Sequence, residues 1–404
     1  MMWEQIRSNR VRSAILITGM AILLLAIGYF LGLYFFDSPI AGLVIALIVW
    51  GIMSLVAYFQ GDSIILASAR ARKITRDDYP RLYNVVEEMK IASGLEKVPD
   101  IYIIDDPALN AFATGRDPNR ASVAITSGLL QKLNRDELQG VIAHEISHIK
   151  NRDVLLMAIT TVMLGTIVIL SWYASRFLIF GGMGTRSRRS SSSGGGGGYA
   201  QIIILVVGLV LIILAPIAAQ LIYFAVSRKR EYLADASGAL YTRYPEGLAS
   251  ALEKLATGPE LKSANKATAP MYITNPFKTG QKSLSDLTST HPPLADRIRI
   301  LRAMAGVSYT DYDKAYRQVR GRGIIPAATA ASVGAVGLRA ASQAGPVEED
   351  RAEKVARTRE VTGVMEKLHN YRVVDCPCGA ILKVPPEYKS SQVQCPRCGR
   401  VHRV

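Results

Sequence analysis

Cysteine is nearly absent: the 404-residue chain has four, and none precedes Cys376. No disulfide framework can therefore hold the body of the chain. Acidic side chains are also short, 33 against 48 lysines and arginines, for a net charge of +15. Charge is missing altogether from residues 13–36 (SAILITGMAILLLAIGYFLGLYFF) and 39–59 (PIAGLVIALIVWGIMSLVAYF). The basic segment ahead of the first run, with Arg7, Arg10 and Arg12, would suit a cleavable signal peptide. The run is too long for that, no small-residue cleavage site stands out, and a second run begins after only Asp37 and Ser38. A membrane hairpin is the better reading.

What is present is apolar length. Hydrophobic residues make up 49% of the chain. Two further runs, residues 154–180 and 200–226, also reach the roughly 20 residues a helix needs to cross hydrocarbon. Arg176 lies close enough to the end of the third run to snorkel. Basic residues flank the runs: Arg7, Arg10 and Arg12; Arg70, Arg72, Lys73 and Arg76; Lys150 and Arg152; Arg228, Lys229 and Arg230. With four spans all these flanks fall on one side, which the positive-inside rule makes cytoplasmic. Only Arg186, Arg188 and Arg189 fall opposite. Flank charge facing an anionic leaflet accounts for much of the +15, so a nucleic-acid partner is disfavoured.

Residues 60–153 read as a first cytoplasmic block, with a helix after Pro80, an extended run at 98–105 and a hairpin ending in a strand over 110–130. Asn134 followed three residues later by Glu137 predicts a capped helix through LQGVIAHEISHIK. Residues 181–199 are a glycine and serine tether. Residues 322–346, rich in small residues, read as a linker rather than a fifth span.

On the capped helix, His144 and His148 stand four apart, about 40° around the axis and about 6 Å along it, so both imidazoles can reach one ion. Glu145 beside the first can act as general base toward a metal-bound water. The plain alternative is a helix with two solvated or core histidines. A catalytic zinc needs a third protein ligand. SRKREYLAD at 227–235 supplies Glu231 directly after the fourth run, as the histidines come directly before the third. A hairpin of these two spans would bring the three together. Asp235, four residues on, can hold the outer nitrogen of a ligand histidine. The alternative for Glu231 and Asp235 is an ordinary juxtamembrane charge cluster.

HEISH, REYLAD after a membrane hairpin, STHPPLADRIRIL at 289–301 and NAFATG upstream together resemble the HtpX-type integral-membrane zinc endopeptidases, relatives of the CAAX prenyl proteases. The resemblance covers roughly residues 1–305. It implies His144, His148 and Glu231 as zinc ligands, Glu145 as catalytic base and Asp235 as support behind a ligand. It further implies that His291 stabilises the tetrahedral intermediate and that Arg297 helps organise the site. Asn110, Ala111, Phe112 and Ala113 would lie in the strand beside the bound peptide. From the residues alone, His291 can equally cap a helix, Arg297 can be a solvated charge and Asn110 a turn residue.

Cys376 and Cys378 (CPCG) and Cys395 and Cys398 (CPRCG) look like a zinc ribbon, with a glycine after each pair. Two disulfides are the alternative, which a reducing cytoplasm disfavours. His402 is not needed as a ligand, since four thiolates close a tetrahedral site.

The expected fold is mainly α: four transmembrane helices, a cytoplasmic α+β gluzincin-type metalloprotease domain and a small C-terminal zinc ribbon. Its expected divisions are a hairpin at 1–60, protease parts at 61–153 and 227–305 around a second hairpin at 154–226, a linker and charged helix at 306–371, and the ribbon at 372–404. The expected protein is a multi-pass enzyme of the cell membrane, with its active site and both termini in the cytoplasm. It would bind one catalytic and one structural Zn2+ and hydrolyse unfolded or membrane proteins, in membrane-protein quality control by resemblance. The alternatives are a dedicated CAAX-like processing protease and a non-catalytic membrane adaptor that binds a protein partner through the ribbon.

Overall fold

The computed structural model describes residues 2–176, 197–262, 264, 268–277, 291–324, 337–339 and 351–404. The tether at 181–199 up to residue 196, the end of the third apolar run at 177–180 and most of the small-residue segment at 322–346 lie outside the described residues.

The chain opens with a helical hairpin of α1 (Met2–Phe36) and α2 (Pro39–Ser68). Ser38 caps α2 by accepting the Ala41 N–H at 3.3 Å, and Pro39 supplies the fixed φ of a first helical residue. The two helices approach closely because Gly28 and Gly32 face Gly42. A Cβ on Gly42 would lie 2.0 Å from the Gly28 carbonyl oxygen. This is the small-residue packing that lets apolar helices associate without a polar interface. Gly42→Leu is accordingly expected to destabilise the protein by about 1–3 kcal/mol. Gly51→Leu, with nothing within 4 Å of its added carbon, should change little. Thermal unfolding of both variants in detergent checks this, and equal midpoints would refute the close approach.

Four strands form one sheet in the order β1-β2-β4-β3, with β1 (Arg72–Lys73), β2 (Asp100–Ile104), β3 (Ala111–Gly115) and β4 (Ala121–Thr126). β2 and β4 run parallel, β3 and β4 antiparallel. α3 (Pro80–Ser93) precedes the sheet's centre and ends at Gly94, whose φ of 68° suits glycine. After α4 (Ser127–Lys132), α5 (Arg135–Lys150) starts with the expected capping box. Asn134 accepts the Glu137 N–H at 2.9 Å, and Glu137 accepts the Asn134 N–H at 2.8 Å.

α6 (Asp153–Arg176) and α7 (Gly197–Thr242) follow. α7 runs through Pro216 without a break, so the fourth apolar run and REYLAD share one rod. α8 (Pro245–Thr257), α9 (Leu294–Arg302) and α10 (Tyr309–Arg320) pack around α5 and α7. α11 (Arg351–Leu368) lies against α4: Val361 and Val364 enter the main core, and the Arg357 Nε–H donates to the Gln131 carbonyl at 2.9 Å. Tyr312 and Tyr316 of α10 belong to the same core. The chain ends in two hairpins, β5 (Arg372–Asp375) with β6 (Ile381–Val384), and β7 (Gln392–Gln394) with β8 (Val401–Arg403).

Among the described residues two helices are long and apolar enough to cross a membrane, Pro39–Ser68 and Asp153–Tyr173. α1 adds a shorter apolar stretch, Ile17–Leu33.

Candidate active site and metal centre

α5 and α7 cross beside the sheet, and their closeness depends on Gly238, where a Cβ would stand 3.2 Å from the His144 backbone nitrogen. His144 and His148 project from α5 and Glu231 from α7. The two Nε2 atoms are 3.3 Å apart, and the Glu231 carboxylate oxygens lie 3.5 Å from His144 Nε2 and 3.4 Å from His148 Nε2. All three side chains are buried.

These spacings test whether a metal fits. Tetrahedral ligands about 2.0–2.1 Å from zinc stand about 3.3–3.4 Å from one another. The three donors already hold that separation, and two imidazoles with one carboxylate are a catalytic-zinc donor set. The group fits the residues present.

Each histidine is oriented from behind. The His144 Nδ1–H donates to Asp235 at 3.0 Å, and the His148 Nδ1–H donates to Asp153 at 3.2 Å. With a carboxylate behind each Nδ1, both Nε2 atoms face the cluster. Burial pulls the pKa of both imidazoles down, but the carboxylates outweigh it. His144 ends above its ordinary value and His148 is pushed up to about 10. A metal entering near neutral pH would therefore displace protons. Burial also works against the Glu231 carboxylate, yet hydrogen bonds from both imidazoles and the Arg297 charge hold it well below the usual carboxylate range.

Arg297 of α9 is fully buried. Its Nε–H and Nη2–H donate to the two Asp235 oxygens at 2.8 and 2.7 Å. Its Nη1 lies 3.3 Å from Glu231 and donates to the Ile273 carbonyl at 2.9 Å. One guanidinium thus ties the support of one ligand to the third ligand and to a crossing loop.

Glu145 sits between the histidines in sequence and is also buried, with neither carboxylate oxygen hydrogen-bonded at normal geometry among the described residues. Burial raises its pKa. The two histidine charges and the Ala113 N–H pull the other way.

His291 is buried, and its Nε2–H donates to the Tyr272 carbonyl. Burial and the Arg297 charge lower its pKa, so the ring is neutral near pH 7. Ser289 and Thr290 of the same motif lie outside the described residues. Asn110, Ala111, Phe112 and Ala113 stand beside α5, all buried. The outer edge of β3 is occupied at two positions by the chain itself. Phe112 bridges Tyr272, and the Ile273 N–H donates to the Ala111 carbonyl at 2.9 Å. The Asn110 side chain fixes the same loop by donating to the Thr274 carbonyl at 3.1 Å.

Two contributors escape a reading of the sequence. Asp153 stands five residues past His148 at the mouth of the next apolar run, a position that does not by itself disclose its contact with the ring. Its carboxylate also lies 3.7 Å from Arg230, the neighbour of Glu231. Tyr272–Thr274 carry no local signal.

Far along the chain, Cys376, Cys378, Cys395 and Cys398 form a second cluster. Cys376 Sγ is 3.4 Å from both Cys378 and Cys398, and Cys378 is 3.6 Å from Cys395. A disulfide would bring two sulfurs to about 2.05 Å and leave the others apart. A thiolate cage around zinc spaces them about 3.8 Å apart, so the cluster is close to the second arrangement. Gly379 and Gly399, at φ 81° and 76°, allow the turns that fold each hairpin's amides back toward the sulfurs.

Comparison with known proteins agrees with this geometry. The sequence pattern of peptidase family M48 matches residues 77–305. The chain is 46% identical over 303 residues to a protease HtpX homolog of Dictyoglomus thermophilum, covering 75% of this chain and 94% of that protein. It is 42% identical over 305 residues to a protease HtpX homolog of Streptococcus uberis, covering 75% of this chain and 100% of the relative. Among solved structures it is similar to the crystal structure of S. mikatae Ste24p, at 22% identity and a TM-score of 0.41, over 74% of this chain and 66% of that one. The match across the segments that carry both histidines, Glu231 and Arg297 establishes that this chain belongs to peptidase family M48.

Proposed function

We propose that the protein is a zinc endopeptidase held in the cell membrane by four helices, with its active site and both termini on the cytoplasmic side, and that it hydrolyses unfolded or membrane proteins in membrane-protein quality control. The observation that carries this reading is the convergence of His144, His148 and Glu231 at zinc-ligand spacing, with the buried Glu145 carboxylate next to His144 on the same helix. The outward-facing apolar side chains of α2, such as Ile40, Leu47, Ile48 and Leu55, support the membrane placement.

Zinc held by the three ligands would polarise the scissile carbonyl and lower the pKa of the attacking water. Glu145 takes the proton of that water and returns it to the leaving amine. Asp235 and Asp153 keep both ligand histidines in one tautomer, and Arg297 keeps Asp235 and Glu231 in register. His291 serves the developing oxyanion once its N–H leaves the Tyr272 carbonyl. An extended peptide bordered by Asn110, Ala111, Phe112 and Ala113 is held mainly through backbone hydrogen bonds, which favours conformation over sequence. It has to lie beyond Tyr272–Ile273 or displace them. The C-terminal hairpins form a zinc ribbon that binds a protein partner, with structural zinc on Cys376, Cys378, Cys395 and Cys398.

Purified full-length protein should cleave casein with zinc present and stop when zinc is chelated. Metal analysis should find about two zinc ions per chain, and about one after truncation beyond residue 371. Casein left intact by the zinc-loaded protein would refute the peptidase reading, and two ions in the truncated chain would refute the ribbon.

A further inference from the structure

A cavity of about 630 Å³ lies beside the metal cluster without including any of its ligands. Its lining includes Arg228, Lys229, Arg320, Arg322, Tyr232 and Tyr316. Four cations therefore face one space, and no acidic side chain is among the described residues that line it. Arg320 is steadied from outside by Asp296, 2.9 Å away. The Tyr232 and Tyr316 rings meet edge to face, 4.9 Å between centroids, and wall one side. Tyr232 is 4% exposed, and its hydroxyl has no hydrogen-bond partner among the described residues. A buried hydroxyl left without a partner is destabilising. It is compensated if something in the cavity accepts its proton, and the four cations of the lining select an anion.

From this geometry we infer that the cavity binds the phosphodiester headgroup of an anionic membrane lipid. The inference rests on the membrane placement proposed above. Arg228 and Lys229 directly follow the fourth apolar run within α7, where each residue adds only about 1.5 Å, which sets them at the depth of lipid phosphates in the proposed placement. The other two cations come from the end of α10 and just past it, so the cavity is a convergence of two elements rather than one basic flank. Its volume falls within the roughly 300–1,000 Å³ of small-ligand sites. The tyrosine rings offer apolar surface to a glycerol backbone beside hydroxyls for the phosphate.

The site is not remote from the chemistry. Tyr232 adjoins Glu231 on α7, and Pro292 and Pro293, also in the lining, adjoin His291. A headgroup in place would brace α7 and the His291 segment together.

The test uses full-length protein in a neutral detergent and native mass spectrometry. Three ligands are added separately at equal concentration: dihexanoylphosphatidylglycerol, dihexanoylphosphatidylcholine and inorganic phosphate. The wild type should retain one phosphatidylglycerol in preference to phosphatidylcholine. Lys229→Gln/Arg322→Gln should weaken that binding about tenfold, equal to about 1.4 kcal/mol. Tyr232→Phe should weaken it by a smaller factor. Arg70→Gln/Arg76→Gln, which removes flank charge outside the cavity, should bind as wild type does, and matching unfolding midpoints certify that all variants fold. Equal retention of the two lipids, or unchanged binding by the cavity variant, would overturn the site. Inorganic phosphate binding as tightly as the anionic lipid would overturn its assignment to a lipid. Release of the chain from membranes by alkaline carbonate would instead overturn the membrane placement, so the two failures are distinguishable.

Discussion

Glu145→Gln is expected to lower proteolysis by about 10²–10⁴-fold while metal content stays at the wild-type level. The substitution keeps shape and removes only the proton acceptor. Glu145 is not one of the three converging ligand groups, so its loss leaves them in place. It is 1% exposed with neither oxygen hydrogen-bonded at normal geometry among the described residues, so a neutral amide sits there at no greater cost than the carboxylate. The metal-free proteins supply a second readout. Burial raises the wild-type Glu145 pKa, so the folded state binds this proton more tightly than the unfolded state does. Glu145 therefore makes stability fall as pH rises from the unfolded value through the raised one, and the glutamine variant lacks that component. Casein hydrolysis, atomic spectroscopy for zinc and unfolding midpoints across pH check the three claims. Activity within about tenfold of wild type would remove Glu145 from proton transfer.

What the sequence disclosed follows from how local each signal is. The α5 start was legible because Asn134 and Glu137 satisfy each other within one turn. The pairing of that helix with Glu231 and Asp235 was legible because the apolar runs at 154–180 and 200–226, read as two spans, would return the chain to its starting side, which makes a distant contact a matter of counting. The role of Asp153 was not, because it depends on how the chain leaves α5. Arg152 takes a φ of 59° between α5 and α6, and this break swings the carboxylate back onto His148. The occupation of the β3 edge by Tyr272–Ile273 is a pairing across about 160 residues with no periodic or capping signature. α11 reads as a charged helix because Val361 and Val364 are its only buried apolar positions, too few to print a stripe. They nevertheless fix it on the protease core.

The second large effect concerns Arg297, which the sequence alone allowed as a solvated charge and which the fold buries completely. Arg297→Met fills most of the volume but leaves Asp235 buried with His144 opposite it, Glu231 without the guanidinium and the Ile273 carbonyl without that donor. Removing one partner from a buried ion pair costs about 3–5 kcal/mol, and disturbing the groups behind a metal ligand weakens metal binding about 10–100-fold. Arg297→Lys keeps the charge but loses the fork that grips both Asp235 oxygens, and should fall between methionine and wild type. The pH dependence has a definite sign. Burial works to raise the Asp235 pKa, but Arg297 and His144 outweigh it and the net shift is downward. Its stabilising contribution is therefore present above the ordinary aspartate value of about 4 and is lost as pH falls through the depressed one. The methionine variant lacks the guanidinium that depresses it, so its deficit against wild type should be widest near neutral pH and shrink below about pH 4. Denaturant unfolding in detergent at several pH values, beside zinc affinity by chelator competition, measures both parts. A methionine variant within about 1 kcal/mol of wild type would give Arg297 the worth of a surface ion pair and end its role as organiser of the site.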